Sequence, residues 1–418
     1  MNGMQSYLIH RTTCRICRSA KLELILSFGP TPLANAFLDE RDRYGSELSF
    51  PLDVYLCKDC GFVQLLDVVN PVVLFKDYVY VSSTSPVFVE HFETFAKQAS
   101  LKLGLSKKSF VVDIGSNDGI LLKPFKKLGV RVLGVEPDTI IAGFARKAGV
   151  PTISEFFTPK TAKKIVKQYG SADIVTATNV FAHIDDIHEV MLGVKILLKK
   201  EGVFVMEASY LVDVLEKNLF DTVYHEHLSY YSVSALKIFF EGAGMKIVDV
   251  ERVASHGGSL RVFAQKKEAS GTPSSSVGKL LALEKRLKLQ DEETYRAYEL
   301  RILINRAKLL TLLTGLKKDG KRIAGYGAPA KGNTLLNFFS IGKELLDYIV
   351  DDSPHKQGKH TPGKRIPVVA STRLINDPPD YLLILAWNFA PSIIAKNETF
   401  RKKGGKFIIP VPTPRIIK

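Results

Sequence analysis

The chain has 418 residues, 45% hydrophobic and 24% charged, with a formal net charge of +15. That length calls for two or three domains, and the composition excludes a disordered or fibrous chain. The opening "MNGMQSYLIHRTTC" lacks an apolar run of signal-peptide length, and "YLLILAWNFA" is far too short to span a bilayer, so a cytoplasmic protein without a membrane partner is expected.

The positive charge is scattered in short clusters such as "KPFKK", "KILLKK" and "RKKGGK", with no arginine-rich arm and no basic–aromatic repeat. A small anionic ligand such as a nucleotide diphosphate accounts for the charge equally well, so the charge alone decides nothing; no nucleic-acid partner is expected from the chain as a whole.

In chain order, the first chemical signal is "CRIC" (Cys14, Cys17) followed by "CKDC" (Cys57, Cys60), which together hold all four cysteines. Two Cys-x-x-Cys knuckles suit tetrahedral thiolate coordination of zinc. Two disulfides or four free thiols are the competing accounts, and both sit badly with paired spacing in a reducing compartment. The zinc would be structural, supporting a segment too small to hold its own core. Small strands are expected within the intervening loop, at "TPLANAF" and "FPLDVYLC".

From about Lys108 the pattern becomes strand, glycine turn and helix, "SFVVDIG", "SNDG", "ILLKPFKKLG", and then a second strand, "RVLGVEP", ending on Glu136. This is the opening of a doubly wound α/β sheet with an acid placed for ribose hydroxyls, which fits NAD or S-adenosylmethionine. "DIGSNDG" puts Asn117 where a dinucleotide site needs its middle glycine. Asp113 and Asp118 flank the turn, where two carboxylates would repel a diphosphate but suit an ammonium and a sulfonium. S-adenosylmethionine is favoured; the alternative is a set of turn and capping residues on some other α/β domain. "SADIVTATNVFAHI" and "GVFVMEAS" supply the fourth and fifth strands, which places Asn179 and His183 at the ligand-binding edge. "MKIVDVERV" and "SLRVFAQK" read as a closing antiparallel hairpin joined by "ASHGG", whose glycines serve either a tight turn or a close ligand.

"YHEHLSYYS" crowds His225, Glu226 and His227 between tyrosines. A zinc-protease pattern would need a histidine at Ser229, so metal binding is disfavoured. A histidine is a suitable general base near neutral pH. Tyr224, three residues before His227, would share its face on a helical turn, which leaves His225 as a packed or polar bystander.

Between Gly278 and Gly315 no glycine or proline intervenes, and a long helical connector is expected. "KRIAGYGAPAKGNTLLNFF" then repeats strand, glycine turn and helix, and "LLDYIVDD", "PVVAST" and "YLLILAW" add strands of a second α/β domain. Lys331 precedes Gly332 rather than following a glycine, so this is not a Walker loop; it is either an anion cradle or purely structural.

Taken together, the four-cysteine knuckles, "DIGSNDG", "NVFAH", "YHEHLSYYS", "HGGSLRV" and "YGAPAKGNTLLN" resemble the three-domain sugar C-methyltransferases across nearly the whole chain. The resemblance implies an α/β protein with a zinc-binding domain over 1–75, a Rossmann-like S-adenosylmethionine-dependent methyltransferase domain over 76–268 and a second α/β domain over 269–418 that holds the substrate's nucleotide. It implies Cys14, Cys17, Cys57 and Cys60 as zinc ligands. For the cofactor it implies Asp113, Gly115, Asn117, Gly119 and Glu136, to which Asp118 and Asn179 are added by position. His227 becomes the base, with Tyr224, Glu226 and His183 beside it and Tyr78 of "DYVYVSSTS" facing the substrate, Tyr80 being a close rival. Lys331, Tyr326, Asn333 and His256 are the candidate substrate contacts.

The implied reaction is methyl transfer from S-adenosylmethionine to C-3 of a nucleotide-linked 4-keto-6-deoxy sugar through an enolate, by a monomer or weak oligomer. O-methylation of a sugar nucleotide is the nearest alternative. A zinc-ribbon RNA methyltransferase is disfavoured because "NVFAH" stands where base N-methylation uses Asn/Asp-Pro-Pro-aromatic, and a non-catalytic sugar-nucleotide binder is disfavoured by the intact base and cofactor loop.

Overall fold

In the N-terminal part of the chain, Ser49–Cys57 alternates with period two, burying Phe50, Leu52, Val54 and Leu56 on one face. That face closes a four-stranded antiparallel sheet in the computed structural model, which describes residues 7–74, 81–84 and 86–418. The strand order is Ser229–Tyr230, Val63–Leu65, Ser49–Cys57, Leu22–Pro32. Its edge strand comes from "YHEHLSYYS", so the run with the two histidines is built into the sheet of the cysteine domain. "TPLANAF" contributes only Thr31 and Pro32 to a strand; residues 33–37 form turns, and the strand lies upstream in "LELILSFGPTP".

Phe110–Ile114 is buried at every position, as expected of a parallel strand covered on both faces. It is central in a seven-stranded sheet ordered Met245–Val253, Ser259–Lys266, Leu198–Ser209, Ala172–Thr178, Phe110–Ile114, Arg131–Val135, Thr152–Ile153. The last five are parallel, and the hairpin of the first two pairs antiparallel against Leu198–Ser209. The chain leaves Phe110–Ile114 toward Arg131–Val135 and returns on its other side as Ala172–Thr178, so the strand ends there open a crevice.

The expected long connector is two helices, Ser275–Arg286 and Glu292–Lys318. Lys288 takes a left-handed conformation (φ 53°) and ends the first without a glycine. Thr294 Oγ1 donates to the Lys288 carbonyl at 2.9 Å, which fixes the break. Beyond it, a six-stranded sheet runs Val368–Val369, Ile349–Val350, Ile323–Tyr326, Tyr381–Ile384, Lys406–Ile409, Arg415–Ile417, parallel except for the last strand. One apolar cluster runs from Cys14 and Leu56 through Phe204 and Phe239 to Leu336 and Ile408, joining the four-, seven- and six-stranded sheets. Among the described residues, no helix is long and apolar enough to cross a membrane.

Candidate active site

The four cysteines converge. Sγ atoms of Cys14 and Cys60 lie 3.6 Å apart and those of Cys17 and Cys57 3.5 Å apart, and all four lie within 4.8 Å of one another. None is in a disulfide, and a tetrahedral zinc with bonds of about 2.3 Å sets sulfur–sulfur edges of about 3.8 Å, so the donor set fits zinc.

At the crevice, Gly115 (φ 64°) closes the turn after Phe110–Ile114; a Cβ there would stand 2.5 Å from Val180 Cγ2. Asn117 (φ 49°) takes a left-handed position that asparagine tolerates, and its Oδ1 accepts from the Ser82 amide at 2.9 Å. Asp113 is buried and accepts from Thr176 Oγ1 at 2.6 Å, and burial pushes its carboxyl up to about 7. Glu136, also raised by burial, accepts from the amides of Asn117 and Asp138, both at 3.0 Å. Asp118 pairs with Lys123 Nζ at 3.2 Å, so its charge is answered within the protein. Asn179 (φ 57°) follows Ala172–Thr178 on the crevice rim. A rim of carboxylates, with Lys123 already paired to Asp118, fits S-adenosylmethionine, which carries no phosphate.

Tyr224 to His227 is a turn, not a helix: the His227 amide donates to the Tyr224 carbonyl at 2.8 Å, which brings the two side chains together. Their rings lie 4.0 Å apart and Tyr224 Oη is 2.7 Å from His227 Nε2. His227 Nδ1 lies 2.8 Å from the Thr222 carbonyl, which fixes the proton on Nδ1 and leaves Nε2 as the basic atom. Burial, then the neighbouring His183, holds His227 well below the usual histidine pKa. The His183 ring stands edge-on at 5.0 Å, itself lowered to about 4 by burial. Glu226 is buried; Asn35 Nδ2 donates to its Oε1 at 2.8 Å, its Oε2 has no partner among the described residues, and burial raises it to about 7. His225 packs edge-on against Phe50 and donates to the Phe50 carbonyl at 3.2 Å, apart from the other two.

The second α/β domain reaches this cluster with Lys331, in the first turn of Ala330–Phe339, whose Nζ lies 5.1 Å over the Trp387 ring. Burial lowers its pKa, and it makes no ion pair among the described residues. Trp387 Nε1 donates to Asp221 at 2.5 Å. His256 (φ 55°) stacks on Phe88 at 4.6 Å. The glycines after it answer to the protein itself: a Cβ on Gly257 would meet Leu219 and Trp387, and one on Gly258 would meet Asp213 at 2.2 Å. Tyr326 is turned away, its hydroxyl on Asp352 at 3.3 Å. Asn333 Nδ2 donates to the Ala34 carbonyl at 2.7 Å, latching the domain to the cysteine domain. Tyr78 and Tyr80 lie outside the described residues. Asp221, Asn35 and Trp387 were not anticipated; the last, as the sole tryptophan, carried a signal in the sequence.

Three family models match successive segments: a zinc binding domain over residues 14–75, a methyltransferase domain over 88–250 and a C-methyltransferase C-terminal domain over 254–412. The C-methyltransferase NovU of Streptomyces niveus is 41% identical over 97% of this chain and 96% of its own.

The chain belongs to the three-domain C-methyltransferase family.

This C-methyltransferase depends on S-adenosylmethionine and carries a four-cysteine zinc domain. Among more distant relatives, a ubiquinone biosynthesis O-methyltransferase of Methylobacterium is 24% identical over 38% of this chain and 68% of its own. The solved magnesium protoporphyrin IX methyltransferase of Synechocystis covers 42% of this chain and 79% of its own, at 12% identity and a TM-score of 0.32.

Proposed function

We propose that the enzyme methylates C-3 of a nucleotide-linked 4-keto-6-deoxy sugar through an enolate, with His227 as general base. The observation that carries this is the His227 tautomer. Its Nδ1 proton is committed to the Thr222 carbonyl, so the lone pair that can take a proton from carbon lies on Nε2, which faces the Tyr224 hydroxyl. The low pKa set by burial keeps that nitrogen unprotonated at neutral pH. Tyr224, on Nε2 in the free enzyme, turns its hydroxyl to the developing oxyanion once the sugar enters.

S-adenosylmethionine, held at the crevice, would supply an electrophilic methyl. The rest is orientation: His227 removes the proton from C-3 and Tyr224 meets the enolate oxygen, which leaves the carbon nucleophile facing the cofactor crevice. Lys331 would hold the diphosphate, with His256 and Trp387 beside it. On this proposal residues 1–75, 76–268 and 269–418 act as zinc, methyl-transfer and nucleotide-holding domains, the first also lending Asn35 to Glu226. Incubation with a synthetic nucleotide-linked 4-keto-6-deoxy sugar and carbon-13 methyl-labelled cofactor tests it. A new C-methyl at C-3 is expected; label on oxygen, or no transfer to any keto sugar, overturns it.

A further inference from the structure

Arg15 lies between two zinc-ligand cysteines and its side chain is fully buried, an unusual place for a charge. Its Nε donates to Asp185 Oδ1 at 3.0 Å, and Asp185 follows His183 by two residues. Its Nη1 donates to Gln64 Oε1 at 3.2 Å and to the Leu65 carbonyl, while its own amide donates to Gln64 Oε1 at 3.1 Å. Arg11 braces the outer side of Asp185 at 2.9 and 3.0 Å. The knuckle's carbonyls at Arg15 and Ile16 lie 2.9 and 3.0 Å from His188 Nε2, on the helix that follows.

The strand Val63–Leu65 carries this link to the other histidine. Gln64 is in register with Ser229, and the Leu65 amide donates to the Leu228 carbonyl at 3.0 Å, one residue past His227. The Leu228 amide in turn donates to the Ala182 carbonyl at 2.7 Å, one residue before His183. One guanidinium thus ties down both backbone segments whose histidine rings face each other at 5.0 Å.

We infer that Arg15 is a positioning residue for the methyl-transfer reaction: held rigid by the zinc knuckle, it sets His183 against His227 through Asp185 and the Gln64–Leu65 strand. The zinc domain is on this account a jig for the base and its neighbouring histidine as well as a local staple. This rests on the assignment of the general base to His227 above. Aligned groups at a reacting centre tolerate little displacement, and loss of a supporting contact typically lowers activity by about 10- to 100-fold.

The test uses the full-length enzyme with Arg15→Lys, which keeps the charge but not the fork, and Asp185→Asn, with urea unfolding of both because the second change leaves the buried guanidinium without its counter-ion. Zinc content, S-adenosylmethionine affinity, kcat and KM for the keto sugar, and nitrogen-15 spectra of the imidazoles are measured for both, with His227→Gln as control. Expected are full zinc, unchanged cofactor affinity, a sugar KM within about threefold and kcat lowered about 10- to 100-fold, with altered His183 and His227 resonances. If kcat is unchanged while His227→Gln is inactive, the positioning role fails and the assignment of the base stands. If activity falls only in proportion to lost zinc or lost folded protein, Arg15 is merely structural and the inference fails. If His227→Gln is itself active, the underlying reading fails.

Discussion

Replacing Tyr224 with phenylalanine removes one oxygen and little else. The ring remains 4.0 Å from His227, and the Thr222 carbonyl still holds the Nδ1 proton, so base and tautomer survive. What disappears is the 2.7 Å contact to Nε2, a bond of half-buried neutral groups worth about 1 kcal/mol to folding. The effect on rate is far larger if the hydroxyl meets the enolate oxygen, because a donor aimed at developing charge is worth roughly 100- to 1000-fold in kcat. Urea unfolding paired with steady-state kinetics separates the two scales. The account predicts a small stability loss, a nearly unchanged sugar KM and a kcat lowered roughly 100-fold or more. A variant within about threefold of wild-type kcat would refute an oxyanion role.

Other consequences concern pH, metal and substrate. His225 is buried neutral with a pKa of about 4 against an ordinary 6.5, so its contribution is intact above about 6.5 and is lost as the pH falls toward 4. Between pH 7 and 5 the stability gap between wild type and His225→Gln should therefore shift by about 2 kcal/mol in favour of the variant, at ~1.4 kcal/mol per pH unit; a constant gap in urea unfolding would contradict this. Cys57→Ser should lose the zinc, worth about 10 kcal/mol or more in small zinc domains, and with it the order of the four-stranded sheet and activity. Metal analysis and circular dichroism check this, and an active metal-free protein would refute it. Lys331→Met should raise the sugar-nucleotide KM roughly 10- to 100-fold while leaving S-adenosylmethionine affinity unchanged, as read by kinetics and calorimetry. An unchanged KM would remove Lys331 from the substrate site.

What could be read from the sequence was whatever is local. The cysteine knuckles, the turn around Gly115 and Asn117, and the hairpin of Met245–Val253 with Ser259–Lys266 each declare themselves within a few residues. The Tyr224–His227 pairing was visible as an i, i+3 spacing, although a turn rather than a helix creates it. Contacts between distant segments left no such trace. Nothing near Ser229 announces that it pairs with Gln64, and nothing near Asn35 points to Glu226. Tyr326 and Asn333 sit in one motif with Lys331, yet strand alternation and the helix face send them to Asp352 and to Ala34. The helix break at Lys288 escaped notice because a lysine, not a glycine, adopts the left-handed conformation that ends the first helix.

The central claim is that His227 takes a proton from carbon before the methyl arrives. Incubating the nucleotide-linked keto sugar with wild type and with His227→Gln in heavy water, and following the C-3 hydrogen by NMR, tests it most directly. The account predicts deuterium at C-3 with the wild type, none with the variant, and methylation at that same carbon once S-adenosylmethionine is added. Undiminished exchange by His227→Gln, or methyl transfer to oxygen without exchange, would contradict it.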